Sequence, residues 1–512
     1  MEHLLFSNPI KLNATRYGDR EAISFNGLRF TYRDFNERIN QLAHALQSIG
    51  VQKGDKVAFM LMNCHQLLEV IFACGKIGSV YVPINSRFVG PEIQHVLDDS
   101  EATLLIVDYR FIHEVTSFIG KYKTTKHFIA IGTTEHAHFL EYETWISTFK
   151  KEEPISASPL SESDTLSIMY TSGTTGYPKG AVRSHRSLYL VALLFSIEFH
   201  IGRLGKGLVA GPLYGAAALS ISIPNLYVGN PIHILETFHP VKVLEAIEHE
   251  KTTTTFLAPP MLEAIFSLPE NILHQFDVSA LKSLISVGAP LHTSTKKKVF
   301  QYFKEIELNE FYGATELGGV ANLFPEMQRE KDRSVGVPML GMEIELLNRD
   351  GKQVKVGETG AFFVKGVTLC DEYYRRPEAN KESFRGEWLS LGDMGVQDED
   401  GFYYIVDRKQ DMILSGAINV YPAEIEGVLH EHPKVEDVAI IGIPDEKWGE
   451  VPLAVIVIRK DENVTREEII KFCQGRLAKY KIPKYIDFVN ELPRNLQGKL
   501  LKYQIRKKYV KE

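Results

Sequence analysis

The sequence predicts an α/β protein with a large N-terminal domain and a smaller, mobile C-terminal α+β domain. The N-terminal domain is expected to hold two sheets of αβα type, each covered by helices on both faces, and a small β-rich unit. Three observations favour this architecture. The chain has 512 residues, too many for one core, and 44% of them are hydrophobic. Apolar runs of strand length alternate with amphipathic stretches of helix length. Short strands separated by glycines come next, followed by two more helices.

The alternation opens with a helix predicted over residues 31–49, where Thr31 and Asp34 are placed to form a cap and Gly50 to end it. Strands are then predicted at 57–62, 80–84, 102–108, 166–170, 231–235, 254–258 and 281–287, and helical stretches at 67–77 and 187–195. Strands that alternate with helices are typical of a parallel sheet covered on both faces. The polar region 121–163 is predicted to be edge structure and loop.

The C-terminal part has a different character. Glycines are frequent and strands short over 335–405, which predicts the β-rich unit. Helices are predicted at 422–429 and 465–480, the second opened by a Thr465–Glu468 capping box, with strands at 438–443 and 453–458. We therefore place the domain boundary after residue 409, with an N-terminal domain at 1–409 and a C-terminal domain at 410–512.

Composition argues against several classes of protein. The net charge of −7 and the pI near 6.2 argue against a nucleic-acid binder. The four cysteines form no CxxC or zinc spacing, which favours a reduced, cytoplasmic compartment. The N-terminus lacks a basic region followed by a long apolar segment, so no signal peptide is predicted. No apolar run reaches the roughly 18 residues of a transmembrane helix, so none is predicted.

Residues 168–185, IMYTSGTTGYPKGAVRSH, carry the densest functional signal. Between Thr171 and Lys179 the chain holds three Thr, two Gly, one Ser and one Lys. Glycines let backbone N–H groups turn toward one point, hydroxyls add donors, and the lysine adds positive charge, so a polyphosphate is the expected ligand. The segment is not a Walker A loop, because Pro178 and Gly180 flank the lysine.

This segment resembles the phosphate loop of the acyl-adenylate-forming enzymes. That superfamily contains acyl-CoA synthetases, luciferases and the adenylation domains of peptide synthetases, and the chain most resembles AMP-forming fatty-acyl-CoA synthetases. The resemblance implies that the loop binds ATP through Thr171, Ser172, Gly173, Thr174, Thr175, Gly176 and Lys179. It also implies catalytic roles for Thr171 and Lys179.

Further motifs follow in the order that the family shows. Residues 286–291, SVGAPL, resemble the stretch that lines the adenine and the substrate, and 311–316, FYGATE, resemble the next motif. The resemblance implies that Tyr312 lies on the adenine, that Thr315 touches the α-phosphate, and that Glu316 binds Mg²⁺ and takes part in catalysis. The other residues that it assigns to ATP or AMP are Gly288, Ala289, Pro290, Gly313 and Ala314.

Two later motifs resemble ribose contacts. Asp393 ends WLSLGD and matches the carboxylate that binds both ribose hydroxyls, a role that suits its two acceptor oxygens. Arg408 matches the second ribose contact. Gln410 stands at the position of the hinge between the domains, where relatives usually carry Asp or Lys.

The C-terminal domain matches two further functional loops. Ser415, Gly416 and Ala417 resemble the loop that faces coenzyme A, with Ala417 replacing the usual second glycine. Lys499 closes PRNLQGK and resembles the catalytic lysine, which also contacts ATP. A positive group there would stabilise charge that builds on the carboxylate and the α-phosphate during adenylation.

The segment 211–215, GPLYG, resembles the wall of the acyl pocket. The predicted pocket residues are Tyr214, Gly215, Val287, Gly288 and Phe311. Gly215 replaces a histidine that relatives often carry, and Phe311 replaces a frequent glycine. These departures bear on substrate shape rather than on adenylation.

The resemblance implies an AMP-forming acyl-CoA ligase. It would join a carboxylic acid to Mg·ATP, release pyrophosphate, and pass the acyl group to coenzyme A with release of AMP. The small and apolar side chains of 214–226 favour a fatty acid. A peripheral contact with a membrane for a lipid substrate and a homodimer are both compatible with this interpretation.

Other interpretations stay open. An aryl acid suits Phe311 and Tyr214, which are placed to sandwich a ring. An inactive ligand-binding homologue is opposed by the joint presence of Lys179, Glu316, Asp393, Arg408 and Lys499. An amino-acid substrate is disfavoured because 213–215 lacks the aspartate that holds its amine.

Overall fold

The structure of the protein is a computed structural model that describes residues 4–171, 178–408, 411–415, 418–445, 449–494 and 500–509. The chain forms two compact units. The first unit contains residues 1–332, 338–343 and 365–382, and the second contains 333–337, 344–364 and 383–512. The predicted boundary after residue 409 separates the N-terminal domain from a C-terminal domain that is expected to move. The division into compact units does not show which part moves, so this boundary stays a prediction.

Within the described residues, the helices are α1 Asn8–Arg16, α2 Tyr32–Ser48, α3 His65–Ile77, α4 Gly90–Ser100, α5 Ile112–Thr116, α6 Tyr142–Ser147, α7 His185–Glu198, α8 Ala216–Val228, α9 Pro240–Glu250, α10 Pro259–Phe266, α11 Glu270–Leu273, α12 Thr293–Tyr302, α13 Pro377–Ser383, α14 Pro422–His430, α15 Arg466–Cys473 and α16 Lys502–Tyr509. Short 3₁₀ helices span Tyr109–Phe111, Pro325–Met327 and Lys479–Lys481.

The strands are β1 Glu21–Phe25, β2 Leu28–Thr31, β3 Lys56–Met60, β4 Val80–Pro83, β5 Ala102–Asp108, β6 His127–Ile131, β7 Phe139–Glu141, β8 Thr165–Thr171, β9 Lys179–Ser184, β10 Gly207–Val209, β11 Ile232–Ile234, β12 Thr254–Phe256, β13 Ser283–Ser286, β14 Glu307–Ala314, β15 Gly318–Leu323, β16 Val337–Pro338, β17 Met342–Leu347, β18 Gly360–Gly366, β19 Glu372–Tyr373, β20 Phe384–Arg385, β21 Trp388–Leu389, β22 Asp393–Gln397, β23 Tyr403–Arg408, β24 Ile413–Ser415, β25 Ile418–Val420, β26 Val435–Asp445, β27 Gly449–Ile458 and β28 Tyr485–Val489.

The first unit is built on two sheets that are parallel through their centres. One contains the strand order β15-β14-β13-β12-β10-β11-β1-β2, and the other has the order β19-β9-β8-β4-β3-β5-β6-β7. The strands from β14 to β1 and from β8 to β7 pair in parallel. Antiparallel pairs lie at the ends of each sheet. The predicted pair of sheets is therefore confirmed.

Both faces of the second sheet are buried. Successive strand residues point to opposite faces, and along β3 Val57 and Phe59 join one hydrophobic cluster while Ala58 and Met60 join another. Helices α2 and α3 contribute to the first cluster and α4 to the second. Because both faces are covered, residues 57–60 of β3 are all apolar, as expected for a parallel sheet between helices.

Two local predictions from the sequence, a helix cap and an edge region, are confirmed by the structure. Thr31 and Asp34 form the predicted capping box of α2, with the Asp34 N–H donating to Thr31 Oγ1 at 3.1 Å. The polar region 121–163 does lie at a sheet edge, because β6 and β7 end the second sheet, and it also contains α6.

The helix predicted over 465–480 was wrong in length. Thr465 caps α15 by accepting the Glu468 N–H at 3.2 Å, but the helix ends at Cys473. Gln474 is extended, and Gly475 has a φ of +78°, in the left-handed region that glycine adopts at little cost.

The second unit combines a β-rich part with an α+β part. In one sheet the order is β20-β21-β18-β22-β23, with β17 beside β18. In the other it is β25-β24-β27-β26, with β28 parallel to β27. Helices α14 and α15 cover this second sheet through a core that includes Ile425, Ile440 and Ile469. Both parts were predicted from the sequence.

None of the described helices combines the length and the hydropathy that a bilayer crossing needs.

One buried histidine makes the stability of the first unit depend on pH. His185 opens α7, has no solvent-exposed surface, and accepts the Phe6 N–H on Nδ1 at 3.2 Å. Burial lowers the pKa of His185 from 6.5 to about 4. Below pH 6.5 the unfolded chain binds a proton there that the folded chain takes up only near pH 4. His185 therefore lowers the free energy of unfolding as the pH falls from 6.5 toward 4.

We expect His185→Gln to reduce this pH dependence, since an amide oxygen still accepts the Phe6 N–H but binds no proton. The linkage relation gives about 2 kcal/mol for the loss due to His185 at pH 5. Denaturant unfolding of both proteins at pH 7 and pH 5 measures the difference. Equal losses in the two proteins would show that His185 does not drive the change.

Candidate active site

Three predicted binding segments follow neighbouring strands of one sheet in the first unit. Residues 211–214 follow β10, 287–290 follow β13, and 311–314 complete β14. Strands β10, β12, β13 and β14 are parallel neighbours, so their carboxyl ends share one edge, where α/β sheets bind ligands. The edge brings together the segments that carry Tyr214, Gly215, Val287, Gly288, Ala289, Pro290, Phe311, Tyr312, Gly313, Ala314 and Thr315.

Two glycines at this edge are required by the backbone. Gly288 has a φ of +100°, where other residues are strained. A Cβ on Gly313 would lie 2.2 Å from the carbonyl oxygen of Gly318, across the β14–β15 hairpin. The β14–β15 hairpin beside Tyr312 can therefore form only with glycine at position 313.

The carboxylate of Glu316 lies just beyond this edge and is buried. Glu316 Oε1 accepts the Thr171 hydroxyl at 3.0 Å and the Tyr373 hydroxyl at 3.2 Å. Thr171 ends β8 of the other sheet, so the contact joins the two sheets of the unit. Two predicted site residues, Thr171 and Glu316, are thus in direct contact.

Lys179 belongs to the same cluster through an aromatic ring. It opens β9, and its Nζ lies 5.5 Å from the ring centroid of Tyr373. Tyr373 is held there by the pairing of β19 with β9, in which Tyr373 lies opposite Ala181. The sequence-based interpretation missed Tyr373, which links Lys179 to Glu316. Thr171, Lys179, Glu316 and Tyr373 are called the carboxylate cluster below.

The carboxylate cluster fits a magnesium ion that is held mainly by phosphate oxygens. Within the described residues, no group of three or more His, Cys, Asp or Glu side chains could hold a metal. Mg²⁺ in nucleotide sites is usually bound by one or two carboxylates together with substrate phosphates. Glu316 supplies such a carboxylate, and its Oε1 accepts both the Thr171 and the Tyr373 hydroxyl.

The segment of the predicted acyl pocket is anchored by a buried asparagine. Asn63 Nδ2 donates to the carbonyl of Gly211 at 2.8 Å, and its Oδ1 accepts the Leu213 N–H at 2.7 Å. The next residue, Tyr214, is partly buried, and burial raises the pKa of its hydroxyl to about 12. Tyr214 therefore presents a neutral hydroxyl.

Phe311 packs into a cluster of three rings. Its centroid lies 5.3 Å from that of Phe195 and 5.4 Å from that of Phe199, and only 9% of the residue is exposed. A Cβ on Gly313 would lie 3.1 Å from the Phe311 ring, so the ring lies on the Gly313 side of β14. These contacts do not decide whether Phe311 also limits the acyl pocket, which stays a prediction.

In the second unit, the two predicted ribose contacts are neighbours. Asp393 opens β22, Arg408 ends β23, and the two are Cα partners in the antiparallel ladder. Asp393 is buried. The preceding Asp407 accepts the Ala423 N–H at 2.9 Å and so fixes the start of α14 to β23. Ser415 is buried at the end of β24 and pairs with Gly449.

Several predicted site residues lie outside the described residues, so their predictions stand untested. These are Ser172, Gly173, Thr174, Thr175, Gly176, Gln410, Gly416, Ala417 and Lys499, and the side chain of Arg408 is likewise not described.

Comparison with known proteins gives matches along nearly the whole chain. The AMP-binding enzyme family matches residues 10–374, and the AMP-binding enzyme C-terminal domain matches 424–499. A feruloyl-CoA synthase of Amycolatopsis sp is 35% identical, covering 95% of this chain and 96% of that protein. The long-chain-fatty-acid–CoA ligase FadD13 of Mycobacterium tuberculosis is 33% identical, covering 94% and 93%.

Comparison with a solved structure supports the same family. The anthranilate CoA ligase AuaEII, in complex with anthranoyl-AMP, superposes with a TM-score of 0.90 at 26% identity and covers 98% of this chain and 97% of that one. Ligases of this kind use ATP, Mg²⁺ and coenzyme A. These matches confirm the predicted resemblance and fold, and the chain belongs to the AMP-binding enzyme family, among its AMP-forming acid–CoA ligases.

Proposed function

We propose that the acid is an apolar monocarboxylic acid, with a fatty acid as the main substrate. One observation carries this proposal: α8, which follows Tyr214 and Gly215, has no charged residue in its 13 positions. A second carboxylate or an amine on the substrate would need a polar partner when buried, because an unpaired buried charge is costly. The similarity to a long-chain-fatty-acid–CoA ligase supports the same substrate class.

An aryl acid is the second candidate. It is favoured by the ring cluster of Phe195, Phe199 and Phe311 beside the Gly313 turn, since aromatic rings pack well edge to face. Relatives named feruloyl-CoA synthase and anthranilate CoA ligase support it as well. The two candidates predict different substrate series.

A substrate screen separates the candidates. Pyrophosphate release and acyl-CoA formation would be measured with saturated acids of increasing length, ferulate, benzoates and o-succinylbenzoate. We expect the highest kcat/KM with saturated acids. A preference for ferulate or benzoates would replace the fatty acid with an aryl acid, and no pyrophosphate release with any acid would overturn the proposed reaction.

We also propose a role for each of the predicted site residues. The carboxylate cluster and the 172–176 loop would bind the phosphates and Mg²⁺, and Tyr312 would lie on the adenine. Asp393 and Arg408 would hold the ribose, 415–417 would face coenzyme A, and Gln410 would act as the hinge. Support comes from the motifs themselves and from the ladder pairing of Asp393 with Arg408.

A cytoplasmic location, a homodimer and a peripheral contact with lipid belong to the same proposal. The free, buried cysteines support the cytoplasmic location, and a lipid substrate would account for the peripheral contact. Sedimentation velocity would test the dimer, and flotation with anionic vesicles would test the lipid contact.

Phe311→Gly tests the pocket. We expect a shift of preference toward longer or bulkier acids, graded with size, because one methylene of discrimination is worth only about 1–3 kcal/mol. Truncating a packed Phe also costs about 3–5 kcal/mol in unfolding free energy. The acid series above and denaturant unfolding measure the two effects separately.

The matched control is Phe128→Gly, which truncates a buried ring in β6, a strand of the other sheet of the unit. It should lower stability without moving acid preference. Should Phe311→Gly behave like this control, Phe311 belongs to the core and not to the pocket.

A further inference from the structure

A buried arginine connects the strand that carries Lys179 to the segments around Glu316. Arg183 lies in β9 and is 2% exposed. Its guanidinium donates to the carbonyl of Thr315 at 2.8 Å, to the carbonyl of Thr368, and to Ser187 Oγ at 3.3 Å. No Asp or Glu among the residues described forms an ion pair with it within 4.0 Å.

An unpaired guanidinium is unusual in a core. Burying a cation without a carboxylate is costly unless hydrogen bonds to good acceptors offset the loss of water. Burial lowers the pKa of Arg183 here, as expected for a group that has lost its hydration. Its hydrogen-bond acceptors are two main-chain carbonyls and one hydroxyl, so Arg183 holds backbone, and the nearby charges of Asp371 and Glu316 partly offset its burial.

The two carbonyls belong to the segments that enclose Glu316. Thr315 directly precedes Glu316. Thr368 begins the segment that leads to Tyr373, and its Oγ1 donates to the carbonyl of Leu317 at 2.8 Å. Further along that segment, the Cys370 N–H donates to the carbonyl of Glu316 at 2.7 Å.

We propose that Arg183 is a positioning residue for adenylation: it fixes the turn before Glu316 and the segment before Tyr373 against β9, and so sets the place of the Glu316 carboxylate. Besides Glu316, the carboxylate cluster contains Thr171 of β8, Lys179 of β9 and Tyr373 of β19. The Arg183 side chain connects β9 to the turn before Glu316 and to the segment that leads into β19. The inference rests on the proposed function, because it assigns Arg183 to the magnesium-dependent half-reaction.

The test compares Arg183→Met and Arg183→Lys with wild type in ATP–pyrophosphate exchange across a magnesium series. A misplacement of about 1 Å can cost on the order of 10²-fold in rate. We expect Arg183→Met to lose exchange by about that factor and to need more Mg²⁺ for half-saturation. Arg183→Lys should recover part of both, since one ammonium can reach one carbonyl but not both. Thioester formation from supplied acyl-adenylate should change far less.

Arg38→Met is the matched control. It removes a largely buried guanidinium from the same unit, where Arg38 pairs with Glu69 at 2.7 Å, away from the carboxylate cluster. It should lower the melting temperature without moving the magnesium dependence. If Arg183→Met lowers only the melting temperature, as this control does, Arg183 is structural and the inference is wrong.

Two outcomes separate this inference from the proposed function. Wild type that exchanges no pyrophosphate with any acid overturns the proposed function and the inference together. Active wild type with unchanged magnesium half-saturation in Arg183→Lys overturns the inference alone. That variant keeps the charge, so it decides the question even if Arg183→Met does not fold.

Discussion

Lys499→Ala should abolish most adenylation while leaving thioester formation from supplied acyl-adenylate nearly intact. Attack of a carboxylate on the α-phosphate builds negative charge on both groups, and a positive charge placed there stabilises the transition state more than the bound substrates. Loss of one positioned donor typically costs on the order of 10²–10³ in rate. The family resemblance assigns the second half-reaction to another face of the mobile domain, so that step should not need this lysine.

The two half-reactions are measured separately, by ATP–pyrophosphate exchange and by acyl-CoA formation from acyl-adenylate. Lys507→Ala is a suitable control because it removes an exposed lysine from the nearby α16. It should leave both rates unchanged. Similar losses in both half-reactions of Lys499→Ala would contradict the assignment of two faces to two steps.

Several strand positions were predictable because they rest on local patterns. The run ATLLIVD gave β5 with both ends correct, since a strand buried on both faces is apolar throughout. Of the three segments at the binding edge, only 287–290 followed a predicted strand, at 281–287. Strands β10 and β14, which position 211–214 and 311–314, were not predicted. The shared edge therefore became visible only in the structure, where β10, β12, β13 and β14 pair in parallel.

Helix α8 was missed because its sequence shows no helical period. AAALSISIPNLYV is apolar on nearly all sides and contains Pro224, which favours a break. Tertiary burial of α8 in the main hydrophobic cluster overrides both signals. A helix that is buried all round cannot be recognised from amphipathic spacing.

The contacts among the site residues could not be predicted from the sequence either. Tyr373 lies in a two-residue strand, too short to show any period, and its partner Glu316 is 57 positions away. Arg183 and Thr368 are 185 positions apart. The one available signal was an arginine in β9 directly after the apolar pair Ala181 and Val182, since arginine is rarely buried without a partner. The interleaving of 333–337 and 344–364 into the second unit has no local signature either.

Glu316→Gln should slow adenylation on the order of 10²–10³ at limiting Mg²⁺, by analogy with the loss of one positioned electrostatic group. The amide has nearly the shape of the carboxylate, and its oxygen can still accept the hydroxyls of Thr171 and Tyr373. The substitution therefore removes charge while keeping the contacts that join the two sheets. A hard cation binds a neutral amide oxygen less strongly than a carboxylate, so excess Mg²⁺ should restore part of the rate.

Exchange rates across a magnesium series, with melting temperatures, measure this effect. Glu330→Gln provides the control, because it removes the charge of an exposed glutamate in the same unit. It should change neither the rate nor the magnesium half-saturation. If Glu316→Gln also leaves both unchanged, Glu316 only joins β8 to β19 through hydrogen bonds. If it lowers the rate equally at all Mg²⁺ concentrations, the carboxylate acts on the substrate by another route than the metal.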